Sequence, residues 1–123
     1  MSERRMALGR RGEELAEAHL RGCGYRILTR NWRSRLGEID LVAEDKATLI
    51  FVEVKTRCSG ERGSAAEAVT GDKQRRLTRL AQEYLQRYGQ QERAARFDVV
   101  TVTLVDNAEP RVELIRNAFD ARV

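Results

Sequence analysis

Two carboxylates and one ammonium lie where the sequence otherwise reads as hydrophobic strand: Asp40, Glu53 and Lys55, within the stretch GEIDLVAEDKATLIFVEVKTR, residues 37–57. Side chains alternate across a strand, so Phe51, Glu53 and Lys55 share one face and Ile50, Val52 and Val54 the other. On the preceding strand Glu38, Asp40 and Val42 share a face. A tight turn through Asp45 and Lys46 sets position 40 roughly opposite 51 and position 38 roughly opposite 53. If the two faces coincide, Asp40, Glu53 and Lys55 converge. Carboxylates brought together repel, and one of them takes up a proton unless a cation lies between them. Oxygen ligands from Asp40, Glu53 and a strand carbonyl, completed by water, suit Mg²⁺ or Mn²⁺ rather than zinc. Lys55 then stands beside the ion, facing an anionic substrate or an attacking water. On an edge strand the same spacing is a solvated ion pair worth little. The apolar run Leu49 to Val54 reads as a central strand instead, where unpaired charge is costly.

The elements that must hold these residues follow from periodicity. From Ala7 to about Gly22, the positions Leu8, Gly12, Leu15, Ala16, His19 and Leu20 form one stripe at helical spacing, and Gly24 ends it. YRILTRNW is a short strand, RSRLG a turn, and GEIDLVAE with ATLIFVEVKT a hairpin. Residues 57–71, RCSGERGSAAEAVTG, have no period and read as a long loop carrying Arg57 and Arg62. A second helix runs from about Asp72 to Tyr88, with Leu77, Leu80, Ala81, Tyr84, Leu85 and Tyr88 toward the core. RFDVVTVTLV is a strand and RVELIR a last edge strand. The order α-β-β-β-α-β-β gives an α/β sandwich around one mixed sheet.

At 123 residues the chain is long enough for one such domain and too short for a second core. The expectation is a single domain over residues 1–123, of which residues 1–8 read as a basic arm open to disorder. Net charge is +4, and lysine occurs only at Lys46, Lys55 and Lys73, so the basic side chains are mostly arginine. The guanidinium fork suits phosphate oxygens and favours a polyanionic partner, although a GC-rich genome gives the same bias. Cys23 and Cys58 form no CxxC and His19 has no companion at ligand spacing, which argues against a disulfide framework or a zinc site. The charged amino terminus lacks a signal peptide's apolar run, and no stretch of roughly 18 apolar residues offers a membrane span. The expectation is a cytoplasmic protein.

GEIDLVAED followed by FVEVKTR resembles the split D…ExK signature of the PD-(D/E)xK nucleases, the restriction endonuclease-like superfamily. GEELAEAHLRGCGYRIL resembles the first helix of archaeal Holliday junction resolvases. From about Gly9 to Phe119 the chain is similar to the YraN-like family of uncharacterised bacterial proteins, through its GE, GY, GEIDL, FVEVK, K..RL and RFDVV blocks. That resemblance implies a restriction endonuclease-like three-layer sandwich. It makes Asp40 and Glu53 metal ligands together with the Val54 carbonyl, Lys55 the residue that orients or activates water, and Glu13 an accessory acid. Ile39 stands where the motif's name has proline. Glu13 also lies at the border of the apolar stripe, with Glu14 on the opposite side.

The reading that follows is a Mg²⁺- or Mn²⁺-dependent DNA endonuclease, acting on branched or otherwise structured DNA and leaving a 5′-phosphate. Resolvase relatives act as two-fold dimers, so a homodimer is expected by analogy. Lys73, Arg75 and Arg76 open the second helix, where the dipole disfavours cations, and a phosphate backbone would favour them. Arg57 and Arg62, with Arg4, Arg5, Arg10 and Arg11, could extend that surface. No base-reading module is present, so shape would guide recognition. Two other readings fit the same residues: a non-catalytic nucleic-acid-binding protein that keeps the fold, and an assembly protein in which the three charges form a structural cluster.

Overall fold

The computed structural model describes residues 3–59 and 69–121, with seven elements in the order α1 (Glu3–Gly22), β1 (Arg26–Ser34), β2 (Gly37–Asp45), β3 (Thr48–Cys58), α2 (Gly71–Arg87), β4 (Ala95–Leu104) and β5 (Arg111–Phe119). This is the α-β-β-β-α-β-β layout expected of the restriction endonuclease-like sandwich. The strands form one sheet in sequence order. Neighbours are antiparallel except β3 and β4, which run parallel, and α2 lies in the crossover that a parallel pair requires.

Each helix covers one face. Gly12, Ala16 and Leu20, four residues apart, form the buried stripe of α1, and Ala16 and Leu20 pack on Leu41, Ala43, Ile50, Val52, Val100 and Val102. Gly24, at φ 91°, turns the chain out of the helix while the Tyr25 N–H donates to the Leu20 carbonyl. On the other face Leu77, Leu80, Ala81 and Tyr84 of α2 pack on Trp32, Ile39, Val42, Phe51, Phe97 and Val99. Full burial of a side chain such as Leu20 or Leu80 is worth about 1.5–3 kcal/mol. β3 feeds both cores and is continuously buried from Leu49 to Glu53, the central strand that the sequence pattern indicates.

The hairpin register differs from the sequence-based expectation. Asp45 stands opposite Thr48, so the turn is Lys46 and Ala47, with Lys46 in the left-handed region at φ 57°. Leu41 therefore faces Val52, and the ladder continues by sequence toward Asp40 beside Glu53 rather than Phe51. The ladder itself stops at Leu41. Beyond it the Asp40 carboxylate accepts the Val54 N–H at 2.8 Å. Strict alternation also fails here: Ile39 and Val42 pack against α2 while Leu41 packs toward α1, so Ile39 and Leu41, two residues apart, do not share a face.

Two further differences concern boundaries. α1 begins at Glu3, four residues before the expected start, and takes in residues whose composition suggested a loose basic arm. β3 continues to Cys58, which puts Arg57 on a strand and not in the long loop. Tyr88 follows the end of α2 and is half exposed, though its ring packs on Tyr84 and its hydroxyl accepts from Trp32 Nε1 at 3.2 Å.

Candidate active site

The end of the β2–β3 ladder opens a cleft of about 920 Å³, lined by residues of α1, β1, β2, β3 and α2. Glu13 reaches it because Gly12 lets α1 approach β3 closely: a Cβ at position 12 would overlap the Thr56 side chain. Asp40 reaches it because β2 parts from β3 at that residue. The carboxylate oxygens of Glu13, Glu38 and Asp40 lie within 4.8 Å of one another, the group of three such side chains among the described residues that could share an ion. Asn31 holds two of them. Its amide donates to Glu13 Oε1 at 2.7 Å and to Glu38 Oε1 at 2.5 Å, and Arg33 Nε stands 3.6 Å from Glu38. Asn31 takes a left-handed backbone, φ 51°, which Asn tolerates better than most residues.

Electrostatic crowding is greatest at Asp40. Burial, then the nearby Glu53 carboxylate, push its pKa up to about 8; the Val54 N–H opposes this, while Glu13 and Glu38 add to it. Glu13 is also held above the ordinary carboxylate range, mainly by burial, against the lowering effect of the Asn31 amide. Carboxylates so placed favour either a proton or a cation. Three hard oxygen donors grouped this closely could share an oxygen-preferring divalent ion, with water completing its coordination.

The sequence-derived residues thus fall into groups. Asp40 and Glu13 come together, joined by Glu38, which the motif reading did not include among ligands. Glu53 is 7 % exposed and close enough to Asp40 to disturb it, yet its Oε1 is held at 2.5 Å by Lys73 Nζ. Val54 lines the cleft next to Asp40, and Lys55 is exposed on the same wall. Arg57 also lines it, with Nε donating to Thr103 Oγ1 at 3.4 Å. Arg75 pairs with Asp72 of its own helix. Two of the three cations at the start of α2 therefore have carboxylate partners within the chain, so their position against the dipole does not by itself require a phosphate. Arg76 is exposed. Arg10 and Arg33 join the cleft wall, Arg11 is exposed, and Arg62 and the side chains of Arg4 and Arg5 lie outside the described residues.

Glu38 and Asn31 are the site residues that sequence reasoning missed. Glu38 sits in the same GEIDL block as Asp40 and two residues from it, a signal available once the register is known. Nothing in the sequence distinguishes Asn31 from an ordinary polar strand residue.

Fold and site together define an α/β sandwich whose split central hairpin presents clustered carboxylates beside a lysine. The profile of Uncharacterised protein family UPF0102 matches residues 12–102, and the chain belongs to that family. It is 51 % identical to a UPF0102 protein of Desulfosudis oleivorans over its whole length and 98 % of the relative. It is 48 % identical to one from Rhodococcus jostii and 51 % to one from Symbiobacterium thermophilum, each over 93 % of this chain and 97 % of the relative. None of the described helices is long and apolar enough to cross a membrane.

Proposed function

We propose that this protein is a divalent-cation-dependent nuclease that hydrolyses phosphodiester bonds in DNA, with branched or structured DNA as the favoured substrate. The observation that carries the reading is the meeting of Glu13, Glu38 and Asp40 at the split of the β2–β3 hairpin, with Glu53 beside them, in a cleft that Lys55 also lines. Asp40 is the shared member of two ligand sets, one with Glu13 and Glu38, the other with Glu53 and the Val54 carbonyl. Mg²⁺ or Mn²⁺ bound there would supply polarisation of a phosphoryl oxygen and a lowered pKa for water. The chain's own residues do the rest. The Val54 N–H and the Asn31 amide fix carboxylate orientation. Lys55 offers three donors to the phosphate and to the charge that grows on it during attack. Arg10, Arg33 and Arg57 along the walls hold the flanking backbone.

The test is cleavage of end-labelled linear, flapped and four-way-junction DNA with Mg²⁺ or Mn²⁺, comparing wild type with Asp40→Ala and Lys55→Ala. Cleavage of any substrate by wild type, lost by at least about a hundredfold in both variants, is the expected result. No cleavage, or variants that cut as well as wild type, would overturn it. The second reading, a nucleic-acid-binding protein without turnover, draws on one observation: Glu53 already has a cation in Lys73. That reading expects DNA binding that is indifferent to divalent ions.

A further inference from the structure

Lys73 is not merely one more cation facing the cleft. Its backbone and its side chain are engaged separately. The N–H donates to Thr70 Oγ1 at 3.2 Å and so belongs to the cap of α2, while the ammonium crosses to β3 and meets Glu53 Oε1 at 2.5 Å. The two partners differ in freedom: the Glu53 side chain is 9 % exposed and the Lys73 side chain 38 %. Glu53 cannot turn to water. Lys73 can, by rotating a four-carbon stem, without disturbing the capped turn.

We propose that Lys73 is a built-in counter-ion for Glu53 which a divalent cation displaces, so that loading the site releases this ammonium toward a DNA phosphate. The inference rests on the metal-dependent reading above and adds the regulation of that site. Glu13, Glu38, Asp40 and Glu53 place four carboxylates near the split hairpin, and Lys73 is the cation that pairs with the most buried of them. A second positive centre entering beside Asp40 repels the ammonium and takes over its role toward Glu53. Once released, Lys73 stands at the first turn of a helix whose dipole disfavours a lone cation and favours an anion, and it lines the same cleft as Lys55. Ion loading and DNA affinity then rise together, each raising the other by the same factor.

The experiment is calorimetric titration of Mn²⁺ into the DNA-free full chain, for wild type, Lys73→Gln and Lys73→Arg, with melting temperature recorded in the absence of ion and at saturation. Removing the competing ammonium should tighten Mn²⁺ binding by about tenfold, a change equivalent to about 1.4 kcal/mol, with Lys73→Arg close to wild type. Lys73→Gln should also melt lower than wild type without ion, and the gap should close at saturating Mn²⁺. If Lys73→Gln binds Mn²⁺ no more tightly than wild type, Lys73 is a strut between α2 and β3, and the counter-ion proposal fails while the metal site stands. If none of the three proteins binds Mn²⁺, the metal-dependent reading and the proposal fail together.

Discussion

Asp40 is where local geometry and site chemistry conflict most. Its carboxyl is held by the Val54 N–H, yet burial and Glu53 raise its pKa from 3.8 to about 8. The folded, ion-free chain thus binds a proton here that the unfolded chain has already lost. The stabilising effect of that proton is complete below pH 3.8 and disappears as pH rises through about 8. Asp40→Asn keeps an oxygen for the Val54 N–H and never ionises. It is expected to melt above wild type at pH 8 without divalent ions, by about 4 °C or more, with the difference shrinking toward pH 4. Added Mg²⁺ should raise the melting temperature of wild type and leave that of Asp40→Asn nearly unchanged. Thermal scans across pH decide it: a variant that melts lower than wild type at pH 8 would mean that Asp40 is ionised and satisfied in the free protein. At this scale the sequence was legible where charge interrupts apolar strand, which singles out Asp40, Glu53 and Lys55. It was not legible at Glu38, whose approach to Glu13 through Asn31 emerges only when α1 and β1 are in place, nor at the hairpin register, because Asp45-Lys46-Ala47-Thr48 contains no glycine to mark which pair makes the turn. Choosing the wrong pair moves every partner by two residues. That error keeps the side-chain parity but hides how Asp40 comes to Val54 and to Glu13.

At the scale of elements, the site depends on how closely α1 lies against β3. The helical stripe was readable from its spacing, but the sequence shows Gly12 only as a small residue and not as a contact. In the structure it is a point of close approach, where an added Cβ meets Thr56, whereas a Cβ at Gly9 on the same helix meets nothing within 4 Å. Gly12→Ala should therefore push the helix outward, destabilise the fold by about 1–3 kcal/mol and carry Glu13 away from Asp40. Gly9→Ala should stabilise by up to about 1 kcal/mol, since alanine loses less backbone entropy than glycine in a helix. Denaturant titration of the two variants, each with and without Mg²⁺, separates packing from position. Equal effects of the two substitutions would show that α1 does not need this close approach. The second helix teaches the reverse lesson. Its boundaries and its apolar face were readable to within a residue or two, but the partners of its cations were not. Glu53 for Lys73 and Asp72 for Arg75 emerge only when α2 is laid on the sheet. A charge placed against a helix dipole signals a nearby anion, and sequence alone does not say whether that anion is a phosphate or the protein's own carboxylate.

Across the whole molecule, the net charge of +4 conceals a sharp division. Carboxylates gather at the split of the hairpin, while Arg10, Arg33, Lys55 and Arg57 line the surrounding walls. A polyanion approaching this cleft is attracted by the walls and repelled by the floor. Without a divalent ion the two effects oppose each other, so DNA affinity should be modest and steeply salt-dependent. The opposition can be separated experimentally. Above about pH 8, where Asp40 of the ion-free wild type is ionised, replacing floor carboxylates together, Glu38→Gln with Asp40→Asn, removes repulsion without touching a wall cation. This double variant should bind a DNA duplex more tightly than wild type in chelator-treated buffer while keeping the same slope of log affinity against log salt. Lys55→Ala should do the opposite: bind more weakly and reduce the magnitude of that slope by about 0.9 if it gives up one phosphate contact. Fluorescence anisotropy over a range of KCl concentrations measures both quantities. A double variant no tighter than wild type would mean that DNA does not enter over the carboxylates. A slope unaffected by Lys55→Ala would remove that ammonium from the phosphate path. If both hold, the cleft acts as a charge gate in which the walls recruit the backbone and the floor admits it fully only when neutralised, which makes ion binding and substrate binding one coupled event.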